Sequence, residues 1–423
     1  MAGEGLLARG AAVGLLNAVL GDGALLAQVL VAADGPLAGL TASDRARAQR
    51  LALAVLRHVE QADRVLDPHL RKKPPLSARN VLRLAVVELV VDGAAAHGVV
   101  NAAVNLVRHG NRTGHLTGLV NAVLRKVVDM PTPFAGMPAQ RMPLWLRKPL
   151  VGVYGRDVVS AIEAVQGGPA PVDLTLKPGA VVDIPGAEVL PGGSLRITGP
   201  VQVSNLPGYA DGLWWVQDAA AALAVRLLAP ARGEKVADLC AAPGGKTLQM
   251  AAAGALVTAI DISEPRLARL RTNLVRTGLS AKVIAADVLH WQPEGPFDAV
   301  LLDAPCSATG TVRRHPDLPF VKDGSELADL TALQAQMLDR ALALLRPGGR
   351  MVYCTCSLLP EEGEAQLAAV LARQPGLVVV RPDLPGVAAE WITPGGGLRL
   401  RPDYWAEKGG MDGFFMAMLQ TPA

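Results

Sequence analysis

The chain has 423 residues, of which 50% are hydrophobic and 19% charged, and its formal net charge is +3. This length predicts two or three domains with ample hydrophobic cores. No uncharged apolar run reaches the ~18 residues of a membrane-spanning helix, which excludes a typical transmembrane protein.

The first 130 residues repeat apolar side chains every three to four positions, which predicts an all-α domain, 1–130. They carry 15 Lys and Arg against 10 Asp and Glu, a balance of +5, whereas the remainder carries 26 against 28, a balance of −2. A basic module joined to a near-neutral one fits a nucleic-acid partner, although an ordinary solvated surface can show the same imbalance. The expected helices are 6–20, 24–33, 43–58, 61–70, 76–91, 97–109 and 114–128.

Residues 131–142 are rich in Pro, Met and Gly and are predicted to be a linker. Residues 143–212 predict a small α+β module, with a helix over 143–166 followed by short strands between turns. From 213 to 423, strands alternate with helices, which predicts a parallel sheet with helices on both faces, a Rossmann-like α/β domain. The expected strands are 235–240, 256–262, 282–286, 298–303, 350–355, 377–381 and 413–419, with helices at 264–277 and 326–345.

A glycine turn, Asp238–Thr247, joins the first of these strands to a helix. Glycines there let the backbone approach a ligand at the positive end of the helix. The turn is not a phosphate-binding P-loop, because position 240 is Cys where that loop needs Gly. Asp261 ends the second strand and is expected to be partly exposed; it could accept ribose hydroxyls or cap the next helix. Asp287 ends the third strand and could reach an adenine amino group or simply form a turn.

Cys306 and Cys356 each follow a strongly apolar strand, so their thiols are expected to meet above neighbouring strand ends. Methylation of carbon 5 of a pyrimidine would explain two such thiols, because a thiolate must first add to carbon 6 and make carbon 5 nucleophilic. Cys354 alternates with Cys356 along its strand and is expected to point the other way and be packed. Neither these three nor Cys240 has the spacing of a disulfide scaffold, which predicts a reducing, cytoplasmic location.

Four segments together resemble the Fmu/Sun type of RNA cytosine-5 methyltransferases, in the branch that acts on small-subunit ribosomal RNA. They are DLCAAPGGKT, DAPCSATGT followed by RRHPD, YCTCSLLPEE and GMDGFF. In the N-terminal part, RARAQRLALAVLRHVEQADRVLD and LTGLVNAVLRKV are similar to the NusB-like domain of that branch. The resemblance implies a multidomain protein: an all-α NusB-like domain, a small α+β module and a class I S-adenosylmethionine-dependent methyltransferase domain.

The resemblance also implies roles for single residues. Asp261 would hold the ribose of S-adenosylmethionine and Asp287 its adenine, while Asp303 would lie between the cofactor and the target cytosine. Cys356 would be the nucleophile and Cys306 would assist product release, a choice that sequence order alone leaves open. The rest of the cofactor would lie on a loop of seven residues: Cys240, Ala241, Ala242, Pro243, Gly244, Gly245 and Lys246.

Arg313, Arg314 and His315 follow the Pro-Cys loop and are predicted to contact RNA phosphates, with plain surface charge as the alternative. Phe320 stands where relatives often have Trp, so the sequence leaves open whether this side chain stacks on a base or packs within the protein. The implied partner is ribosomal RNA, bound by a monomer without a metal or a membrane. A transfer RNA cytosine-5 methyltransferase and a non-catalytic RNA-binding or antitermination factor are the alternatives; the intact thiols and glycine loop argue against the second.

Overall fold

The computed structural model describes residues 5–110 and 112–423. The chain forms two compact units, one of Met1–Pro169 with Val312–Asp323 and the other of Ala170–Thr311 with Gly324–Ala423. The helices expected in the 143–212 module belong to the first unit, whereas its strands belong to the second. Within the described residues, no helix is both long and apolar enough to cross a bilayer.

The first unit is helical, as the apolar period predicted. Its third helix is capped by Thr41, whose hydroxyl accepts a hydrogen bond from the Asp44 N–H at 3.2 Å. The fifth helix lies at the centre of the unit and buries most of its residues in the core of the first seven helices. The helices are α1 (Leu6–Leu20), α2 (Leu26–Val31), α3 (Ala42–Arg57), α4 (Val59–Leu66), α5 (Leu76–Val90), α6 (Ala96–His109), α7 (Thr117–Val128), α8 (Leu144–Tyr154) and α9 (Arg156–Gln166).

The remaining helices and all described strands follow Pro169. The helices are α10 (Ala219–Leu228), α11 (Gly245–Ala252), α12 (Glu264–Thr277), α13 (Leu318–Val321), α14 (Leu327–Ala343) and α15 (Glu364–Arg373). The strands are β1 (Val172–Leu176), β2 (Ala187–Val189), β3 (Leu195–Ile197), β4 (Trp214–Val216), β5 (Lys235–Leu239), β6 (Leu256–Asp261), β7 (Lys282–Ala285), β8 (Phe297–Asp303), β9 (Leu345–Thr355), β10 (Val378–Val380), β11 (Leu398–Leu400) and β12 (Phe414–Gln420). Of these elements, only α13 belongs to the first unit.

The large sheet has the strand order β10-β12-β9-β8-β5-β6-β7, with β11 beside β12. Strands β5 to β9 are mutually parallel, as predicted, but β12 runs antiparallel to β9, and β10 and β11 run antiparallel to β12. The sheet is therefore mixed. The chain order reverses between β5 and β8, which places a switch point at their carboxyl ends, where open α/β sheets bind ligands.

The small sheet, of order β2-β3-β1-β4, is tied to the late part of the same unit by Arg196. The guanidinium of Arg196 is fully buried and donates to both oxygens of Asp173 at 2.7 Å. It also donates to the carbonyl of Gly410 at 2.6 Å. One buried ion pair thus connects two strands of the small sheet with the loop that leads into β12.

We expect Arg196→Ala to destabilise the second unit strongly. The substitution leaves Asp173 buried without its cation, a change that typically costs about 3–5 kcal/mol. Urea unfolding monitored by fluorescence checks this value. Arg271→Ala is the matched control, because its ion pair with Glu264 lies at the surface and should matter little. Equal losses in the two variants would contradict this account of Arg196.

Candidate active site at the strand ends

The glycine loop after β5 turns sharply into α11. Cys240 and Gly244 both have a positive φ, of 62° and 106°. At Gly244 any Cβ would overlap the Leu270 side chain of α12, so both the backbone conformation and the packing demand glycine there. The first N–H groups of α11 have no partners within the helix, which is a common setting for an anionic or polar ligand.

Asp261 shapes this loop from the end of β6. Its carboxylate accepts from the Ala242 N–H at 3.1 Å and from the Ser263 N–H at 2.9 Å, and the Arg266 guanidinium lies 3.7 Å away. Only 2% of its surface is exposed, so the expectation of partial exposure was wrong. The carboxylate is buried because backbone donors on both sides satisfy it.

Asp287 is partly exposed and forms the turn that follows β7. It accepts from the Leu289 N–H at 2.9 Å and pairs with His290 Nδ1 at 2.8 Å. These two hydrogen bonds, that of Leu289 first, hold the pKa of Asp287 below its usual value. Asp287 therefore forms a turn, which was one of the two roles that the sequence left open for it.

Lys246 and Asp303 form an ion pair across the strand ends. Lys246 Nζ donates to Asp303 Oδ2 at 2.7 Å and lies 5.4 Å from the centre of the Phe414 ring. Burial is the largest single influence and lowers the pKa of Lys246, but the charge and hydrogen bond of Asp303, together with the charges of Cys354 and Asp238, raise this pKa on balance, so the side chain stays cationic. About 31% of the Asp303 side chain remains exposed, which leaves its carboxylate accessible to a ligand.

Asp238 is the fully buried carboxyl of this region. Burial raises the pKa of Asp238 to about 7, against the hydrogen bond from Thr247 Oγ1 at 2.5 Å. Its other oxygen, Oδ1, is buried and has no hydrogen-bond partner among the described residues. A buried acceptor without a donor fits a ligand that brings N–H or O–H groups.

The thiols of Cys306 and Cys356 lie 3.4 Å apart, which confirms that they meet. The hydrogen bond with Cys356, and next burial, raise the pKa of Cys306 well above its usual value. Cys306 therefore keeps its proton at neutral pH and can donate it to the Cys356 sulfur. None of the four cysteines forms a disulfide within the described residues.

Cys354 is fully buried and packs in the core of the unit, as predicted, but the expectation that it points away from Cys356 was wrong: Cys356 packs against the same core cluster, since residues two apart along a strand share a face. The Cys354 thiol also lies 3.5 Å from Asp303 Oδ1, so it contacts the site from below. Burial, and then the charge of Asp303, raise the pKa of Cys354 well above its usual value. The pKa of Cys240 is also raised, mainly by burial. Both thiols are held in the neutral form.

Glu362, which the sequence reasoning missed as a site residue, ties the two cysteine loops together. Its buried carboxylate accepts from the Ser307 N–H at 2.8 Å, from the Ser307 hydroxyl, and from Gln334 Nε2 at 3.0 Å. Its carbonyl accepts from the Tyr353 hydroxyl at 2.7 Å and from the Thr355 hydroxyl at 3.0 Å. Glu362 belongs to the YCTCSLLPEE segment, but nothing local in that segment indicates its burial.

A close backbone crossing supports the same region from the GMDGFF segment. The Gly413 N–H donates to the Gly310 carbonyl at 2.8 Å, and the Gly310 N–H donates to the Cys356 carbonyl at 3.0 Å. A Cβ on Gly310 would overlap the Gly413 backbone. The late glycine motif therefore lets β12 approach the Pro-Cys loop closely.

The three residues predicted to contact RNA differ in their surroundings. Arg313 is fully buried, and its carbonyl accepts from Arg57 Nη2 at 3.0 Å. A buried guanidinium cannot meet an RNA phosphate at the surface, so the prediction for Arg313 was wrong. Arg314 and His315 are exposed, and their contact with RNA stays a prediction. Phe320 packs against the helical core, which resolves its open role as packing.

We expect Asp238→Asn to remove a pH-dependent destabilisation. The pKa of Asp238 is about 7 in the folded protein and ~3.9 in an unfolded chain, so between these values the folded state binds the extra proton. Folding therefore loses free energy as the pH rises from ~4 to ~7, by at most about 1.4 kcal/mol per pH unit. Urea unfolding at about pH 5 and about pH 7 should show the wild type losing stability relative to the variant. A pH-independent difference would contradict this.

We expect Glu362→Gln to loosen the thiol pair. Three buried donors now share the two carboxylate oxygens of Glu362, and glutamine keeps only one oxygen acceptor. A buried donor that is left without an acceptor costs about 1–3 kcal/mol. Cys306 and Cys356 should then react faster with a thiol reagent, as measured by mass spectrometry. Glu361→Gln, at the exposed neighbouring position, should leave the rates unchanged. Unchanged reaction rates in the Glu362 variant would show that Glu362 does not hold the two thiols in place.

Comparison with known proteins agrees with this architecture. Residues 7–129 match the NusB family, and residues 225–420 match the family described as 16S rRNA methyltransferase RsmB/F. A protein of Salmonella arizonae named ribosomal RNA small subunit methyltransferase B is 36% identical over 412 residues, covering 89% of this chain and 90% of its own. The protein of that name from Salmonella typhi is 35% identical with the same coverage.

Solved structures share the fold. The crystal structure of PH0851 has a TM-score of 0.72 at 22% identity and covers 98% of this chain and 99% of its own. NSun6 from Pyrococcus horikoshii with SFG has a TM-score of 0.58 at 18% identity, over 66% of this chain and 98% of its own. The predicted fold class, a NusB-like helical domain with a Rossmann-like methyltransferase domain, is confirmed. With relatives above 30% identity over most of its length, the chain belongs to the ribosomal RNA small subunit methyltransferase B family.

Proposed function

We propose that the protein transfers a methyl group from S-adenosylmethionine to carbon 5 of a cytosine in small-subunit ribosomal RNA. The observation that carries the carbon 5 chemistry is the contact of the Cys306 and Cys356 thiols, 3.4 Å apart beside Asp303 and Lys246. Family membership supports ribosomal RNA as the substrate. A non-catalytic role would leave this thiol pair without a purpose.

The residues at the strand ends fit S-adenosylmethionine. The unpartnered Oδ1 of Asp238 suits the amino and hydroxyl donors of that molecule, and the first N–H groups of α11 can donate to its polar groups. The loop of Cys240 to Lys246 would hold its methionine and ribose side, with Asp261 at the ribose and Asp287 at the adenine. When bound, S-adenosylmethionine supplies an electrophilic sulfonium methyl group, which carbon 5 of the activated cytosine takes up.

Cys356 is the proposed nucleophile. Its thiolate adds to carbon 6 of the cytosine, a carbon–sulfur bond forms, and carbon 5 gains the electron density that it needs for methyl transfer. Cys306 keeps its own proton and can donate a hydrogen bond to the Cys356 sulfur. The opposite assignment would make the thiol with the raised pKa the nucleophile.

Asp303 is proposed to hold the cytosine. Its carboxylate is partly exposed and pairs with the Lys246 ammonium, so it can accept a hydrogen bond from the amino group of the base. The carboxylate would thereby orient carbon 6 toward the thiolate. The base must be unpaired or flipped out of its helix for this contact.

Release of the product requires loss of the carbon 5 proton and expulsion of the Cys356 thiolate. In the proposed step a water takes the carbon 5 proton, the electron pair of that bond restores the double bond between carbon 5 and carbon 6, and the carbon–sulfur bond breaks. The Cys306 thiol, 3.4 Å from the Cys356 sulfur, can donate a hydrogen bond to the departing Cys356 thiolate and so assist its release.

We expect Cys356→Ala to abolish methylation and to form no covalent RNA adduct. Cys306→Ala should still attack and transfer the methyl group, and then stall as an adduct. The adduct should survive denaturing electrophoresis, because unfolding does not break a carbon–sulfur bond. Cys354→Ala is the matched control on the same strand and should release its product, since Cys354 is packed in the core.

An adduct in Cys356→Ala and none in Cys306→Ala would reverse the two roles. Full activity in both variants would exclude covalent catalysis. Bisulfite sequencing of ribosomal and transfer RNA from a deletion strain separates the two substrate classes. A methylcytosine lost from transfer RNA alone would overturn the ribosomal assignment.

A further inference from the structure

Helices α6 and α7 border an open groove of about 730 Å³ on the first unit. We refer to it as the α6–α7 groove. Its polar side chains include His97, Asn101, Arg108, Asn121, Arg125 and Asp129. All six of these side chains are exposed or partly exposed, and the catalytic chemistry proposed above uses none of them.

The charge of this surface is one-sided. Between Asp92 and Asp129 the sequence has no Asp or Glu, but it has four Arg and Lys and three His. All seven of these side chains are exposed: His97, Arg108, His109, Arg112, His115, Arg125 and Lys126. Asp129, at one end of the groove, is the single carboxylate that lines it among the described residues. Of the seven, His97, Arg108 and Arg125 line the groove and Lys126 follows Arg125 on α7, so basic side chains outnumber the carboxylate there and attract anions.

The cations of this groove lack the ion pairs that buried cations of the same unit make. Arg9 pairs with Glu88 at 2.7 Å, and Arg83 pairs with Asp63 at 2.7 Å. Arg108 instead donates to the neutral amide oxygen of Asn105 at 3.1 Å. In the described part of the chain, neither Arg108 nor Arg125 lies within ion-pair distance of a carboxylate. Their charges remain available to an external partner.

We propose that the α6–α7 groove docks the phosphate backbone of the substrate RNA. This inference rests on the proposed function, which supplies an RNA partner, and it adds the surface that holds it. A cation row along α6 and α7 suits a chain of regularly spaced phosphates better than a single anionic ligand. The amides of Asn101 and Asn121 add hydrogen bonds that sugar and phosphate oxygens can use.

Two glycines make close approach possible. Gly98 and Gly118 are exposed, and apart from the nearby backbone of their own helices no atom lies within 4 Å of the place where a Cβ would stand; Gly118 lines the groove, and Gly98 follows His97, which also lines it. Both lie in helices, where glycine is less stable than other residues by up to about 1 kcal/mol. Open space beside the helix backbone fits the entry of a bulky polyanion.

The test uses the full-length protein and a 16S rRNA transcript. The groove variant carries Arg108→Gln, Arg125→Gln and Lys126→Gln. The control variant carries Arg71→Gln, Lys72→Gln and Lys73→Gln, an equal loss of exposed charge on the same unit. The groove variant should bind RNA about tenfold more weakly at physiological salt, and its salt slope should fall by about 2, because each lost phosphate contact removes ~0.7–0.9. The control should keep near wild-type values.

A second variant tests the shape of the α6–α7 groove separately from its charge. Gly118→Leu fills the groove at constant charge and improves helix propensity, so it should fold and bind RNA several-fold more weakly. Both groove variants should bind S-adenosylmethionine as the wild type does and should reach the same rate of methylation at saturating RNA. This outcome is distinct from failure of the proposed function, in which the wild type itself would methylate no cytosine.

Equal weakening in the groove and control variants would show a general charge effect and overturn the proposal. Weakening in the control alone would place RNA docking at residues 71–73 and would overturn it too. Unchanged RNA affinity in the groove variants would leave a non-RNA partner, such as an acidic protein, as the occupant of the groove.

Discussion

The contact between two thiols from different loops is the constraint on which the rest of the site depends. Cys306 and Cys356 follow two neighbouring strands, but strand pairing alone does not fix the loops beyond them. A buried carboxylate does so: Glu362 accepts hydrogen bonds from Ser307 beside one thiol, and its carbonyl accepts from Thr355 beside the other. The Gly310–Gly413 crossing adds a third restraint. Sulfur atoms held in contact in this way can share and exchange a proton without a large rearrangement.

The buried charged groups at the strand ends belong to the same site as the thiol pair. Lys246 is the cation between Asp303 and Asp238, and Asp303 is the member of this group that stays accessible. Burial raises the pKa of Asp238 to about 7, which favours its neutral form and spares the site a second buried negative charge. The ion pair with Lys246 leaves the Asp303 carboxylate accessible to a base, while the Cys354 thiol that contacts it remains neutral. Burial and ion pairing therefore give different roles to Asp238 and Asp303, although both lie near the ends of parallel strands.

The sequence predicted what depends on local pattern. It gave the helical first unit, the parallel strands and the meeting of the thiols, because strand ends in such sheets converge. It failed where tertiary contacts decide the outcome. Asp261 is buried because the backbone of another loop satisfies it, and Arg313 is buried although Arg314 and His315, which follow it, are exposed. The role of Glu362 was invisible for the same reason, since its donors come from residues up to 55 positions away.

The segment Val312–Asp323 shows how far a local interpretation can mislead. Its Arg, His, Asp and Lys side chains suggest a solvated RNA-binding loop, yet it forms part of the helical unit. Asp317 accepts a hydrogen bond from the first N–H of α2, that of Leu26, at 2.9 Å, and Phe320 joins the helical core. A helix start needs such an acceptor, and an aromatic ring gains more from burial than from exposure. The helical unit is therefore incomplete without a piece of chain that lies between the two cysteine motifs in sequence.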